Sequence, residues 1–335
     1  MPIDYFTGFE GCGSNEDVTV LLSGRSHIAG TWYDATNGYG GGKCLRVSNS
    51  GYSFNISNFT ANTTKIVGFH VKGLGTHGYN AFGINRHLLR FTIGTGSNYI
   101  RVFNTAENGI EVYRDATLLC SSTNNIGTGL THCEMKLVSH STAGEVHIKV
   151  NGESVISETN LNTHNDNITD IYFGSCNTSN VYYDNIFIAD DWQGELISYL
   201  RKPESDASVQ FTPNSGSDNY SRVNQSAPDG DTTYVSSNTL GHTDIYGVED
   251  MPTGVTVKAV AVGVVARKDD AGDRALELIA KKGTDEVVSD EIFLGTDYPA
   301  VEGGAQRIVF NKAPNNTDWS VAKFNDTDFG FKVST

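Results

Sequence analysis

The residues that could do chemistry in this chain include its 39 carboxylates, nine histidines, five cysteines and aromatic rings. Glycoside hydrolysis needs two carboxylates across a cleft, and a Glu-x-Asp-x-x-Glu run would place them on one strand. No such run occurs. The nearest acidic pairs, Asp190-Asp191 and Glu249-Asp250, sit at apparent strand ends and loops. A zinc site needs ligands at tight spacing, whereas His70, His77 and His87 fall in three separate segments with no H-x-x-x-H register. Asp269-Asp270-Ala271-Gly272-Asp273 has a calcium-loop look but lacks the rest of an EF-hand and its closing Glu, so it reads as a hairpin turn. Gly38-Tyr39-Gly40-Gly41-Gly42-Lys43-Cys44 fails as a phosphate loop. Asn37 stands where the first glycine belongs, Cys44 replaces the magnesium-binding hydroxyl, and strand residues follow instead of a helix. There is no G-x-S-x-G elbow. Cys12, Cys44, Cys120, Cys133 and Cys176 are odd in number and none forms a C-x-x-C. Buried reduced thiols are expected, with a redox-linked contact between chains as the alternative. Trp32-Tyr33 and Tyr39, in a glycine-rich stretch, could stack on sugar rings or pack at the core or its rim. The sequons at Asn55, Asn58 and Asn62 are expected to be unmodified. The expectation is of a non-catalytic chain, with no catalytic, cofactor-binding or metal-binding residue assigned and no cofactor required.

Composition narrows the partners. The net charge is −15, spread evenly: residues 1–200 carry −7 and residues 201–335 carry −8. Lys281-Lys282 and Arg267-Lys268 are isolated pairs, so no clustered positive footprint for nucleic acid or an acidic membrane is expected. Met1-Pro2-Ile3-Asp4 lacks a basic, apolar leader, so no secretory signal is expected. The longest apolar stretch, Ala259 to Ala266, is far too short to span a bilayer.

The elements that would position these residues are strands. Ile66–Lys72, Leu89–Ile93, Tyr99–Phe103, Ile110–Arg114 and Cys133–Val138 alternate apolar and polar residues with period two. Glu145–Val150, Asn151-Gly152 and Glu153–Ile156 form the clearest hairpin, because Asn-Gly supplies the positive φ angles of a type I′ turn. Ile171–Phe173 and Tyr182–Ile188 finish the first half. The polar stretch Arg201-Lys202-Pro203-Glu204-Ser205 marks a boundary between about 192 and 206. A long turn-rich passage from Thr212 to Asp231 follows. Strands are then expected from Val255 to Arg267, Arg274 to Ala280, Val287 to Leu294, Gln306 to Phe310 and Phe329 to Val333, with helical turns near Thr317-Asp318-Trp319. The length, 335 residues, suits two domains.

Four stretches of the first half resemble the concanavalin A-like jelly roll of laminin-G type. They are Phe6-Thr7-Gly8-Phe9-Glu10, Gly41-Gly42-Lys43-Cys44-Leu45-Arg46-Val47, the hairpin Val146–Gly152 and Tyr183-Asp184-Asn185-Ile186-Phe187-Ile188. The resemblance implies that first and last strands pair, bringing Glu10 near Asp184. Relatives sometimes hold calcium there, and a hydrogen-bonded or solvated acidic pair is the alternative. The second half resembles structural proteins of tailed phages. The carriers are Phe211–Gly216, Asp231–Ser237, Asp244-Ile245-Tyr246, Ala266–Gly272, Trp319–Asn325 and Phe329–Val333. Together the resemblances imply an all-β chain of two β-sandwiches, a jelly roll over 1–195 and a phage structural sandwich over 196–335. They imply a structural component of a tailed-phage virion, exposed on the particle as head decoration or as a tail or fibre component. Its partners would be other virion proteins and itself, with no nucleic acid and no membrane, and assembly would take place in the bacterial host cytoplasm. The alternative is a glycan-binding module for host recognition.

Overall fold

The computed structural model describes residues 2–10, 12, 31–47, 53–57, 59–74, 87–105, 109–174, 180–226, 228–298 and 306–335. It divides into two compact units, Met1–Ser198 and Tyr199–Thr335. The regular secondary structure of the described residues is almost wholly antiparallel strand. Among the described residues no helix is long and apolar enough to cross a membrane.

The first unit contains β1 (Ile3–Thr7), β2 (Thr31–Asp34), β3 (Cys44–Val47), β4 (Ser53–Ile56), β5 (Thr64–Lys72), β6 (Leu89–Ile93) and β7 (Asn98–Thr105). It continues with β8 (Gly109–Arg114), β9 (Thr117–Ser122), β10 (Thr131–Val138), β11 (Gly144–Val150), β12 (Glu153–Leu161), β13 (Ile168–Gly174) and β14 (Val181–Ala189). One sheet runs β12-β11-β10-β5-β14-β3-β2, with β1 also on β14; the other runs β4-β13-β6-β7-β8-β9. Alternation decides which side chains lie between them. Val67, Phe69 and Val71 of β5 and Tyr183 and Ile186 of β14 meet Phe91 of β6, Val102 of β7 and Phe173 of β13 in one buried cluster. The two sheets therefore form a sandwich, as the jelly-roll resemblance implies.

First and last strands do pair: Thr7 stands opposite Ile186 and Phe6 opposite Phe187. β14 pairs with β3 through Val181–Tyr183 and with β1 from Ile186 onward. It changes partner at a bulge after Asp184, where Asn185 takes φ +47°. The Asn151-Gly152 hairpin has φ +49° and +83°, the type I′ signature its sequence demands.

The second unit holds β15 (Pro203–Val209), β16 (Thr212–Pro213), β17 (Val235–Ser236), β18 (Thr243–Val248), β19 (Val260–Gly263) and β20 (Ala275–Lys282). It ends with β21 (Asp285–Val288), β22 (Ile292–Phe293), β23 (Arg307–Phe310), the short helix Val321–Asn325 and β24 (Asp328–Val333). Its main sheet runs β15-β18-β24-β20-β21, with β22 on β20, and β16-β17 and β19-β23 form two ribbons. Leu278, Phe329 and Phe331 of the sheet, Val260 and Phe310 of a ribbon, and Trp319 and Phe324 share a separate core.

Three sequence expectations are corrected here. The polar stretch at Pro203 opens a strand, because a proline at a strand's first residue removes no ladder hydrogen bond inside it. The expected strand Val255–Arg267 shrinks to Val260–Gly263, since its partner β23 offers only four residues to pair with. Val287–Leu294 is broken into two strands, with Ser289 bonding back to Leu278 between them.

Candidate functional site

The outer face of the second sheet brings together residues far apart in sequence. In β6, Leu89, Phe91 and Ile93 enter the core, which turns Arg90 and Thr92 outward. The same alternation turns Tyr99, Arg101 and Phe103 outward from β7 and Glu111 and Tyr113 from β8. Register then aligns them. Asn55 stands opposite Tyr172, Tyr172 opposite Arg90, Arg90 opposite Arg101, and Arg101 opposite Tyr113. A single transverse row thus crosses five strands, with Asp170, Thr92 and Tyr99 beside it.

Within the row Asn55 and Arg101 are buried, and Tyr172, Arg90 and Tyr113 are half-buried. The Arg90 guanidinium lies 3.7 Å from the Tyr172 ring centre and 4.8 Å from that of Tyr99. Arg101 shares the Tyr99 ring at 5.0 Å, and its Nη1 donates to the Asp115 carbonyl at 2.9 Å. Tyr113 donates its hydroxyl to Glu111 Oε2 at 3.1 Å, with its ring edge-on to Phe103. Asn55 Nδ2 donates to Asp170 Oδ1 at 3.4 Å. Among the buried polar atoms of this face, Asn55 Oδ1, Thr92 Oγ1 and Arg90 Nε have no hydrogen-bond partner among the described residues. Each such atom costs roughly 1–3 kcal/mol unless something outside the chain satisfies it. Aromatic rings and hydrogen-bonding groups are therefore aligned on one face of the sheet.

The outer face of the first sheet is differently occupied. The segment 190–198 folds back across it. Glu134, buried on β10, accepts the backbone N–H groups of Gln193 and Gly194 at 2.8 and 3.2 Å. His70 Nε2 lies 2.8 Å from Glu195 Oε1, and its ring stands 5.3 Å from His132 and 4.8 Å from Tyr39. Burial, aided by the neighbouring His70, pushes His132 down to about 4 against the pull of Glu195. Burial lowers His70 too, although Glu195 opposes it.

The Glu10–Asp184 region is a hydrogen-bonded acidic site. Asp184 Oδ2 accepts the Tyr39 N–H and Oδ1 the Asn185 N–H, both at 2.7 Å. Glu10 Oε1 accepts the Lys43 N–H at 3.3 Å. A Cβ on Gly38 would come within 2.8 Å of Asp184 Oδ2, and one on Gly42 within 2.5 Å of Glu10 Oε1. The glycines thus let the backbone close over the two carboxylates. Burial raises Asp184 to about 7, the Tyr39 and Asn185 N–H groups lower it, and Glu10 adds to the rise. Among the described residues no group of three or more His, Cys, Asp or Glu side chains stands close enough to hold a metal.

The remaining sequence candidates disperse. Asp190 accepts from Lys65 Nζ at 2.6 Å and from Asn62 Nδ2 at 3.0 Å. Burial works to raise its carboxyl, but those two donors hold it below the usual range. Glu249 accepts the Lys202 N–H at 3.3 Å. Asp270 pairs with Arg274 at 2.6 Å within the expected turn. Tyr33 packs on the core, Tyr39 faces His70, and the Trp32 side chain, His77, Asn58 and Cys176 lie outside the described residues. Cys12 is buried, Cys44, Cys120 and Cys133 are free, and burial pushes the Cys44 and Cys120 thiols up to about 12, which makes them poor nucleophiles. The arginine–tyrosine row was not among the sequence candidates. Its signal was the bulk and charge of the outward positions in three alternating strands.

No family model matches the chain, and no curated protein matches it. Solved structures do. An alginate lyase is 15% identical, covering 58% of this chain and 100% of its own at a TM-score of 0.37. Domain 4 of an extracellular arabinanase from Geobacillus stearothermophilus, solved with arabinotriose, is 12% identical over 56% of this chain and 91% of its own, at 0.38. The catalytic domain of a glycoside hydrolase from Coprinopsis cinerea is 11% identical over 59% of this chain and 98% of its own, at 0.35. Similarity at this level concerns the sandwich alone. It overturns the expectation of a non-catalytic chain, because matching chains include a lyase and a hydrolase. Lack of a Glu-x-Asp-x-x-Glu run excludes one arrangement of catalytic groups, and a fold shared by enzymes and binding modules excludes none. None of these matches bears on the virion role implied by residues 196–335.

Proposed function

We propose that the chain binds a glycan on the outer face of the second sheet of its first unit. The observation that supports this most directly is the five-strand row Asn55, Tyr172, Arg90, Arg101 and Tyr113. Its tyrosine rings offer stacking surface with few rotatable bonds to freeze. A glycan array probed with the purified chain tests this. Binding to a defined set of glycans is expected, and Tyr172→Ala should weaken it at least tenfold with the fold intact by circular dichroism. A blank array would overturn the proposal. Incubating each bound glycan with the chain and looking for shortened products separates binding from turnover.

The sequence resemblance of residues 211–333 to tailed-phage structural proteins supports a placement for this module on the surface of a virion, where it would meet host glycans. Mass spectrometry of gradient-purified particles is the test, and absence of the chain from them would remove that placement.

A further inference from the structure

We propose that Lys65 and Asp4 become joined by an intramolecular isopeptide bond, formed with loss of water and with Asp190 as the proton carrier. The site lies in the first unit and makes no use of the glycan-binding face.

Position and burial single out the lysine. Lys65 has the parity of Val67, Phe69 and Val71 in β5, the inward side of the sandwich, and stands opposite the core residue Leu137. Its side chain is wholly enclosed, a placement lysine takes only with partners. Its Nζ donates to Asp4 Oδ2 and, at 2.6 Å, to Asp190 Oδ1, and the Phe59 ring centre lies 5.6 Å away. Register brings the three residues together. β14 lies between β5 and β1, with Ala189 opposite both Ile66 and Ile3. Asp4 occupies the irregularity between the Ile3 and Tyr5 pairings, where a side chain can be re-aimed.

The two carboxyls differ. The Asp4 side chain is 11% exposed and that of Asp190 31%. Burial raises the Asp4 carboxyl above its ordinary value, although Lys65 pulls the other way. Burial works on Asp190 as well, but Lys65 and Asn62 hold it below its ordinary value. Asp4 is therefore the carboxyl that takes a proton, and Asp190 the one that stays a base. Moving one proton from Lys65 to Asp4 sets a neutral amine against a neutral acid. A neutral lysine amine is a nucleophile. Its Nζ already touches Asp4 Oδ2, so Asp4 Cγ lies one bond beyond, as a near-attack arrangement requires.

Lys65 Nζ bonds to Asp4 Cγ while Asp190 takes one of the two amine protons. The tetrahedral carbon then collapses. Its bond to the hydroxyl oxygen breaks, and Asp190 returns the proton to that oxygen, which departs as water past the more exposed Asp190. An ammonium and a carboxylate have become one amide and one water, with no change in net charge, and Asp190 ends as it began. The driving force is the removal of two charges from an enclosed site, where keeping them is costly.

Intact mass spectrometry of the purified full chain, beside Lys65→Arg, is the test. The unaltered chain should be lighter by one water than its sequence requires, and Lys65→Arg should carry its full mass. Trypsin should fail to cut after Lys65 and should release residues 1–25 joined to residues 47–72. Asp190→Asn, which keeps the size and loses the base, should yield little of that joined peptide. Full mass in the unaltered chain, with ordinary cutting after Lys65, overturns the proposal whether or not the variants fold. Residues 47–72 joined to residues 150–201 instead would overturn the choice of Asp4, and an undiminished link to residues 1–25 in Asp190→Asn would overturn the role of Asp190.

Discussion

Asp184 illustrates how a single buried carboxyl can report on the acidic corner of the jelly roll. It is 3% exposed, and each of its oxygens accepts one backbone N–H. Burial outweighs these donors, so the group titrates near 7 in the fold against an ordinary value of 3.8. Between those values the folded chain holds a proton that the unfolded chain has released. Its contribution to stability is therefore complete below pH 3.8 and is lost as pH rises through about 7, after which it is constant. A shift of this size corresponds to on the order of 4 kcal/mol. His132, lowered to about 4, works in the opposite sense, since its contribution is present above pH 6.5 and is lost as pH falls through about 4. Replacement isolates the two. Asp184→Asn abolishes one titration and leaves the other, so its melting temperature relative to the unaltered chain should be several degrees more favourable at pH 8 than at pH 5. Thermal melts of both proteins across that range are the measurement. A difference that does not change with pH would mean Asp184 is already ionised at pH 5.

At the scale of elements, the segment 190–198 owes its course to side chains of strands it crosses. Glu134 satisfies two of its N–H groups, and Ser198 N donates to Asn185 Oδ1 at 2.8 Å. Gly8 allows the crossing, because a Cβ there would meet Ser198 Cβ at 2.6 Å. Glu134→Ala should remove the charged acceptor of two backbone donors and destabilise the fold by roughly 1.5–3 kcal/mol. Denaturant unfolding measures this, and hydrogen exchange should quicken at the Gln193 and Gly194 amides. Unchanged exchange at those two amides would show that the segment is held by other contacts. None of this was legible in the sequence, where the polar stretch only placed a domain boundary between about 192 and 206. Local signals were legible: the Asn151-Gly152 turn needs only its own two residues, and strand alternation needs only its neighbours. What alternation omits is the partner. Arg90 and Arg101 were visibly outward in their own strands, but their alignment with Asn55 and Tyr172 depends on register across strands more than a hundred residues apart. Of the two readings open for Tyr33, stacking on a sugar or packing at the core, the structure takes the second, a choice alternation alone left undecided because its strand's partner was unknown.

For the whole molecule, the two units carry separate hydrophobic cores. The first joins side chains from Tyr5 to Ile188, and the second joins Tyr246 to Phe331, with partly buried neighbours reaching back to Phe211. No buried member of either core comes from the other unit. A core closed within its own stretch of chain is the condition for independent folding. Charge agrees, since the negative excess is shared almost equally and neither half needs the other to neutralise it. Fragments 1–198 and 199–335 should therefore each give a cooperative melt. The first should retain the full affinity for whichever glycan the intact chain binds, because all five residues of the transverse row lie within it. The second should not bind that glycan. Separate expression, circular dichroism and titration of the two fragments carry out the comparison. A first fragment that folds yet has lost affinity would show that residues beyond Ser198 complete the binding face.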